Sequence, residues 1–459
     1  MSGSSRRKRQ RTRNQSSTPP PTTTSPSSSS LHRTQPNPPA AEFPLDDFLL
    51  AEILCRLPGP KFLFQCTCVC KQWYSLISSP YFARLFINHY MRNKNDDGGH
   101  DKEDGGDVGF DGNNVLVSFE KSPVSVIASC GVSALFGDLG DHRTCNNILM
   151  DSDEALFDTL DLRFSYLPIR KEPVRVLAVF NDLFLCSVGR TKRYLVNPFT
   201  TKWVALPPVP RIHKGTSCGL VCEPHCFKDS KGEYAFDSHF RYRVVLIADA
   251  LHTRNPSVET YCSETGKWSR TVLEEGVDQG PAIVESNVVA YKGELVWYNG
   301  KHVVFLDPFA GKTCFVRRPP DCPPPADYSY HINYSVGLCR GSLRLMKWNF
   351  VPLYLPNLTV WQLEDRRRGE WSLKHSVNIF SFVKARNHMT TGLICHPTDP
   401  NLVYFVRDNS DVISCDLRAK EWGVAAEMSP KLIFHPSLGA FPFVLPLWPT
   451  PIPMPPQDS

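Results

Sequence analysis

The sequence predicts an α + all-β multidomain chain: a small helical module, then a β-propeller of six or seven blades, behind a disordered leader. Three observations carry this prediction. Apolar residues recur at helical spacing between Phe43 and Tyr90. A strand–turn–strand pattern recurs at roughly 50-residue spacing through the long C-terminal region. Residues 1–41 hold almost no aliphatic side chains.

That leader (residues 1–41) is dominated by Ser, Thr and Pro. Such a segment cannot bury enough apolar surface to offset an ordering cost of roughly 1–2 kcal/mol per residue. It holds seven basic groups, Arg6, Arg7, Lys8, Arg9, Arg11, Arg13 and Arg33, and no acid. Taken from the formal net charge of +5, these seven leave −2 for everything after residue 41. A nucleic-acid-binding core should carry a basic face of its own, so no direct nucleic-acid partner is expected. The cluster Arg6–Arg11 resembles a nuclear localisation signal; a plain solvated tail and a plastid transit segment stay open beside it. Nucleus and/or cytoplasm is the expected location. No run of about 18 apolar residues predicts a membrane span. The N-terminus has no apolar signal core, so the sixteen cysteines are read as small buried residues in a reducing compartment.

In the helical module (residues 42–92), Leu49, Leu50, Ile53, Leu54 and Leu57 follow the spacing of one helix face. Asp46 and Asp47 suit the positive end of that helix, and Pro58 stops it at Leu57. Pro60 can open a second helix through Phe62, Leu63, Phe64 and Cys66. Val69, Trp73, Leu76 and Ile77 then repeat at helical spacing, Ser79-Pro80 ends that segment, and Phe82, Leu85, Phe86 and His89 suggest one more short helix. So few short helices make a poor independent core, and a partner is the simplest cover for the surplus apolar surface.

The pieces Pro44-Leu45, Leu50-x-x-Ile53-Leu54, Leu57-Pro58 and Val69-Cys70-Lys71-Gln72-Trp73, with Leu76-Ile77-Ser78-x-Pro80-x-Phe82 after them, closely resemble an F-box of the plant type. Phe43 stands where that family usually has Leu, and Gly59-Pro60 replaces its usual Val-Lys. The resemblance implies docking to a Skp-type adaptor and, through it, to a cullin. It points to Pro44, Leu45, Leu50, Ile53, Leu54, Leu57, Val69, Cys70 and Trp73 as residues that dock or shape the docking face. Internal packing is the alternative role for each of them, Trp73 above all.

Residues 93–114 are Gly- and Asp-rich and read as a flexible, self-repelling linker. A calcium loop is the weaker reading, because Asp101–Gly105 breaks the alternate-acid register.

In residues 115–445 the period switches to strands. A strand enters a turn and a Lys-Trp or similar pair opens the next strand, at Val196–Trp203, Tyr261–Trp268, Leu306–Thr313, Leu363–Trp371 and Cys415–Trp422. Most copies come after another hairpin, such as Ala290–Leu295 or Leu338–Leu343, and two hairpins make one propeller blade. The first blade is placed within 115–170. The turn tryptophans are expected to pack between blades, and the run Arg366-Arg367-Arg368 to be a solvated tip. Cys218–Pro224 together with Tyr242–Ile247 resembles a passage of the kelch-like F-box-associated domain of plant F-box proteins. Residues 446–459 form a Pro-rich tail, either a recognition segment or an inert extension.

Two catalytic motifs fail in context. Gly215–Gly219 matches G-x-S-x-G, yet Leu220–Pro224 directly after it is strand-like where a nucleophile elbow needs a helix. Gly311-Lys312-Thr313 imitates a phosphate-loop ending, with Leu306 in the place of the first glycine. Cys218, Cys222, His225 and Cys226 lack a usual zinc spacing. No cofactor, metal or catalytic residue is therefore expected. The combined reading is a non-catalytic substrate-recognition subunit of a Skp–cullin–F-box ubiquitin ligase complex, whose propeller holds a target protein. An F-box scaffold that binds the adaptor without cullin is the runner-up, and a propeller enzyme comes third.

Overall fold

The computed structural model describes residues 46–57, 62–63, 66–67, 69–96, 124–129, 147–150, 164–169, 174–189, 191–210, 217–224, 226–236, 240–247, 257–273, 287–320, 322, 332–349, 357–379, 390–407, 411–427, 439–444 and 448–452. The leader, Pro44, Leu45 and residues 97–114 of the linker lie outside these. Among the described residues the first elements are α1 (Asp47–Cys55), helical Phe62, Leu63 and Cys66, then α2 (Lys71–Ile77) and α3 (Pro80–Asp96). Helix α3 therefore runs past residue 92, into the stretch expected to be linker. No described helix is long and apolar enough to cross a membrane.

The strands β1 (Val124–Ser129) and β2 (Asn147–Met150) come next. The first four-stranded blade is β3 (Val174–Phe180), β4 (Leu183–Val188), β5 (Lys192–Asn197) and β6 (Lys202–Leu206). The second is β7 (Ser217–Cys222), β10 (Tyr242–Ile247), β11 (Ser257–Cys262) and β12 (Lys267–Val272). A separate hairpin, β8 (Cys226–Lys228) and β9 (Tyr234–Phe236), is inserted between its first two strands. The third blade is β13 (Val289–Tyr291), β14 (Glu294–Tyr298), β15 (His302–Asp307) and β16 (Lys312–Arg317). The fourth is β17 (Ile332–Cys339), β18 (Ser342–Asn349), β19 (Asn357–Asp365) and β20 (Glu370–Asn378). The fifth is β21 (Thr390–Cys395), β22 (Leu402–Arg407), β23 (Asp411–Asp416) and β24 (Glu421–Glu427). All are antiparallel meanders.

The expected six or seven blades are thus corrected to five. The length assigned to further blades goes instead to the β8–β9 hairpin, to long connections and to a three-stranded sheet. That sheet has the order β2-β1-β25 and joins strands from distant parts of the chain through β25 (Gly439–Val444). The first strands of successive blades pack on one another, and β25 packs against both β21 and β3. β25, paired with β1, thereby lies packed between the first strands of the first and last blades.

The repeat seen in the sequence has a local cause. At the turn between the third and fourth strands of four of the five blades, an Asn or Asp side chain accepts two successive backbone N–H groups. Asn197 takes those of Phe199 and Thr200, Asp307 those of Phe309 and Ala310, Asp365 those of Arg367 and Arg368, and Asp416 those of Arg418 and Ala419. Each turn then closes on a left-handed residue: Thr201, Gly311, Gly369 or Lys420. The hairpins at Lys292-Gly293 and Arg340-Gly341 take positive φ at both positions, the I′ geometry that matches strand twist.

Two of the four turn tryptophans, Trp268 and Trp371, bridge blades by hydrogen bonds, whereas Trp203 is exposed and lies edge-on to Tyr194 of its own blade. Trp268 Nε1 donates to the carbonyl of Pro207 at 3.0 Å, and Trp371 Nε1 to that of Arg317 at 2.9 Å. In both, an outer strand reaches the end of the preceding blade. Arg366 is not a solvated tip. It forms a forked ion pair with Glu294 of the third blade and lies over the Phe305 ring, 4.1 Å from its centroid. Gly219 and Gly337 mark close approaches between blades: a Cβ on Gly219 would meet Leu295 at 2.7 Å, and one on Gly337 would meet the Cys395 Sγ at 2.9 Å.

Candidate functional site

Leu50, Ala51, Leu54 and Cys55 line the inner face of α1 and pack with Leu63, Ile77, Phe82, Phe86 and Ile87. The apolar positions of α1 do not form one face. Leu50 and Leu54 point inward at 1 % exposure each, while Leu49 and Ile53, the adjacent i, i+4 pair, are 54 % and 53 % exposed. The Gln72 side-chain amide donates to Asp47 Oδ1 at 2.8 Å and holds the start of α2 beside the start of α1. Cys70, in extended geometry, is the N-cap of α2. Ser79 caps α3, its Oγ accepting the Phe82 N–H, with Pro80 in the first helical position. Burial pushes the Cys55 thiol up to about 12, so it packs as a neutral filler.

Of the nine residues singled out from the sequence, Ile53, Val69 and Cys70 are exposed and available to a partner. Leu50 and Leu54 are core residues, and Leu57 and Trp73 are partly buried against the same core, so these four shape the module. Pro44 and Leu45 lie outside the described residues. Five further large apolar side chains are exposed on the module: Phe48, Leu49, Phe62, Tyr74 and Tyr81. Leu49 was readable as the helical neighbour of Ile53. The others lacked a spacing signal that separates outward from inward.

The module is joined to the second blade through α3. Arg84 pairs with Asp229 at 2.9 Å and Glu233 at 3.0 Å, and Arg92 pairs with Glu233 at 3.1 Å. Asn88 makes a two-way contact with the β8–β9 hairpin, donating to the Tyr234 carbonyl at 3.1 Å and accepting the Tyr234 N–H at 2.8 Å. Tyr234 is itself buried with the module's core. The exposed ion pairs are worth little each, whereas the amide pair satisfies strand groups that would otherwise lack partners.

Ser217 opens strand β7, which continues to Cys222 where a nucleophile elbow needs a helix, so the elbow geometry is not formed. Cys218 and Cys222 lie in the buried core between the first two blades, and burial raises both thiols. Among the described residues no group of three His, Cys, Asp or Glu side chains could hold a metal ion.

Comparison with known proteins agrees with this division. Residues 42–85 match the F-box domain model, and residues 165–435 match the model described as F-box protein At3g26010-like, beta-propeller. A putative F-box/kelch-repeat protein of Arabidopsis thaliana, At1g15680, is 22 % identical over 413 residues, covering 82 % of each chain. Among solved structures, apo AztD from Citrobacter koseri aligns at 10 % identity and a TM-score of 0.33, covering 70 % of this chain and 98 % of that one. YCF48 from Cyanidioschyzon merolae aligns at 10 % identity and a TM-score of 0.32, covering 56 % and 73 %. With its F-box ahead of a propeller matched over more than half its length, the chain belongs to the At3g26010-like family of F-box β-propeller proteins.

Proposed function

We propose that the chain is a substrate-recognition subunit of a Skp–cullin–F-box ubiquitin ligase. The F-box docks to a Skp-type adaptor, and the propeller holds a target protein. In this reading the chain does no chemistry of its own. It raises the effective concentration of a target lysine near activated ubiquitin. The observation that carries the proposal is the split face of α1: Leu50 and Leu54 already fill the core, while Leu49 and Ile53 stand out in solvent, as does Val69 ahead of α2. Large apolar groups in excess of what a fifty-residue module can bury are the signature of an interface. The basic cluster at Arg6–Arg11 supports action in the nucleus as part of the same proposal.

The test is capture of a purified Skp-type adaptor by the full chain and by Ile53→Glu. A charge at an exposed docking position should lower capture at least about tenfold, because roughly 1.4 kcal/mol of lost binding already gives that factor. Undiminished capture would remove α1 from the interface.

A further inference from the structure

Trp448–Ile452 is a five-residue piece of the Pro-rich tail, and its residues divide between the two parts of the molecule. The Trp448 ring lies tilted on Phe82 and Phe86 of α3, with centroids 6.1 and 5.9 Å apart. Two residues on, Thr450 is 1 % exposed and bound to the first blade. Its N–H donates to Asp182 Oδ2 at 2.8 Å, and its carbonyl accepts from Asn197 Nδ2 at 2.7 Å. Asn197 also donates to the same Asp182 oxygen, at 2.7 Å. Asp182 and Asn197 are both fully buried. Ile452 then packs against the core between the first and second blades. Pro449 and Pro451 alternate with these three contacts, fixing φ and lowering the entropy lost when the segment is ordered.

The β8–β9 hairpin holds the same helix from another side. Phe82 and Phe86 meet Trp448, whereas Arg84, Asn88 and Arg92 meet the hairpin. At about 100° per residue, the face centred on Phe82 and Phe86 and the face centred on Asn88 lie about 140° apart, so α3 is gripped on two separate faces. One grip starts from the connection between β7 and β10, the other from the two turns of the first blade.

We infer that Trp448–Ile452 is a positioning strap: with the β8–β9 hairpin it fixes α3, and with it the F-box, on the propeller in one orientation. An adaptor on the F-box and a target on the propeller are then held at a set separation rather than swung on a linker. That consequence rests on the docking reading proposed above, but the strap itself is measurable on this chain alone.

The test places spin labels, as noncanonical amino acids, at exposed Lys71 on the F-box and exposed Lys312 on the propeller of the full chain. Electron–electron resonance then reads the distance distribution. The full-length protein should give one narrow distance. A chain ending at Leu447 should give a severalfold broader distribution while strand content by circular dichroism is retained. Should the truncation fail to fold, Trp448→Ala carries the test with the same expected broadening. A narrow, unchanged distance in either folded variant overturns the inference, including the case where only the melting temperature falls. Adaptor capture should persist in both variants, since Ile53 and Val69 are untouched. Loss of docking is thereby read apart from loss of orientation.

Discussion

Asp182 offers the sharpest energetic prediction. Its carboxylate sits in the β3–β4 turn with no exposed surface, and only Oδ2 has hydrogen-bond donors, Asn197 and Thr450. Burial raises its pKa from an ordinary 3.8 to about 6, and the hydrogen bonds from Thr450 and Asn197 offset this only in part. The folded state therefore holds this proton more tightly than the unfolded chain does. Its contribution is fully present below the unfolded value and is lost as pH rises through about 6. At about 1.36 kcal/mol per unit, the whole effect is ~3 kcal/mol. Between about pH 7.5 and about pH 4.5 it amounts to ~2 kcal/mol, because both ends of the titration are cut. The facing Cys222 thiol is held well above its ordinary value by burial and stays neutral throughout. Asp182→Asn removes the titration and keeps the shape. Urea unfolding monitored by tryptophan fluorescence should show the wild type gaining about 2 kcal/mol on the variant over that acidification. Parallel pH curves for the two proteins, or a gain by the variant, would refute the assignment of a buried, charge-penalised carboxylate.

Three other substitutions probe the packing. Leu54→Ala empties a core position at 1 % exposure and should cost about 2–5 kcal/mol of F-box stability, seen as lost hydrogen-exchange protection in α1, whereas Ile53→Ala next to it should leave protection unchanged. Gly219→Ala drives a methyl to within 2.7 Å of the fully buried Leu295 and should destabilise the propeller by about 1–3 kcal/mol in chemical denaturation. Asp307→Ala leaves the Phe309 and Ala310 N–H groups without their acceptor and should cost about 1 kcal/mol, whereas Asp307→Asn should restore most of it.

What was legible in the sequence was what is local. The F-box could be read because Val69–Trp73 and the helical spacing lie within one short stretch. The blades could be read because Asn197, Asp307, Asp365 and Asp416 each organise a turn within three residues of themselves. The two faces of α1 could not be separated, since Leu49/Ile53 and Leu50/Leu54 satisfy the same spacing and only tertiary packing chooses between them. Blade number escaped because β25 pairs with β1 across most of the chain, which no repeat period encodes. The tail escaped for the same reason: the buried partners of Thr450 lie 253 and 268 residues away in sequence.

We propose that the F-box face couples this propeller to a cullin-based ligase. The most direct measurement is to recover the tagged full chain from plant cells and quantify the Skp-type adaptor and cullin that accompany it, for wild type and for Ile53→Glu. Both partners are expected with the wild type and neither with the variant. Adaptor without cullin would contradict the ligase role, and recovery of both by the variant would contradict the docking face.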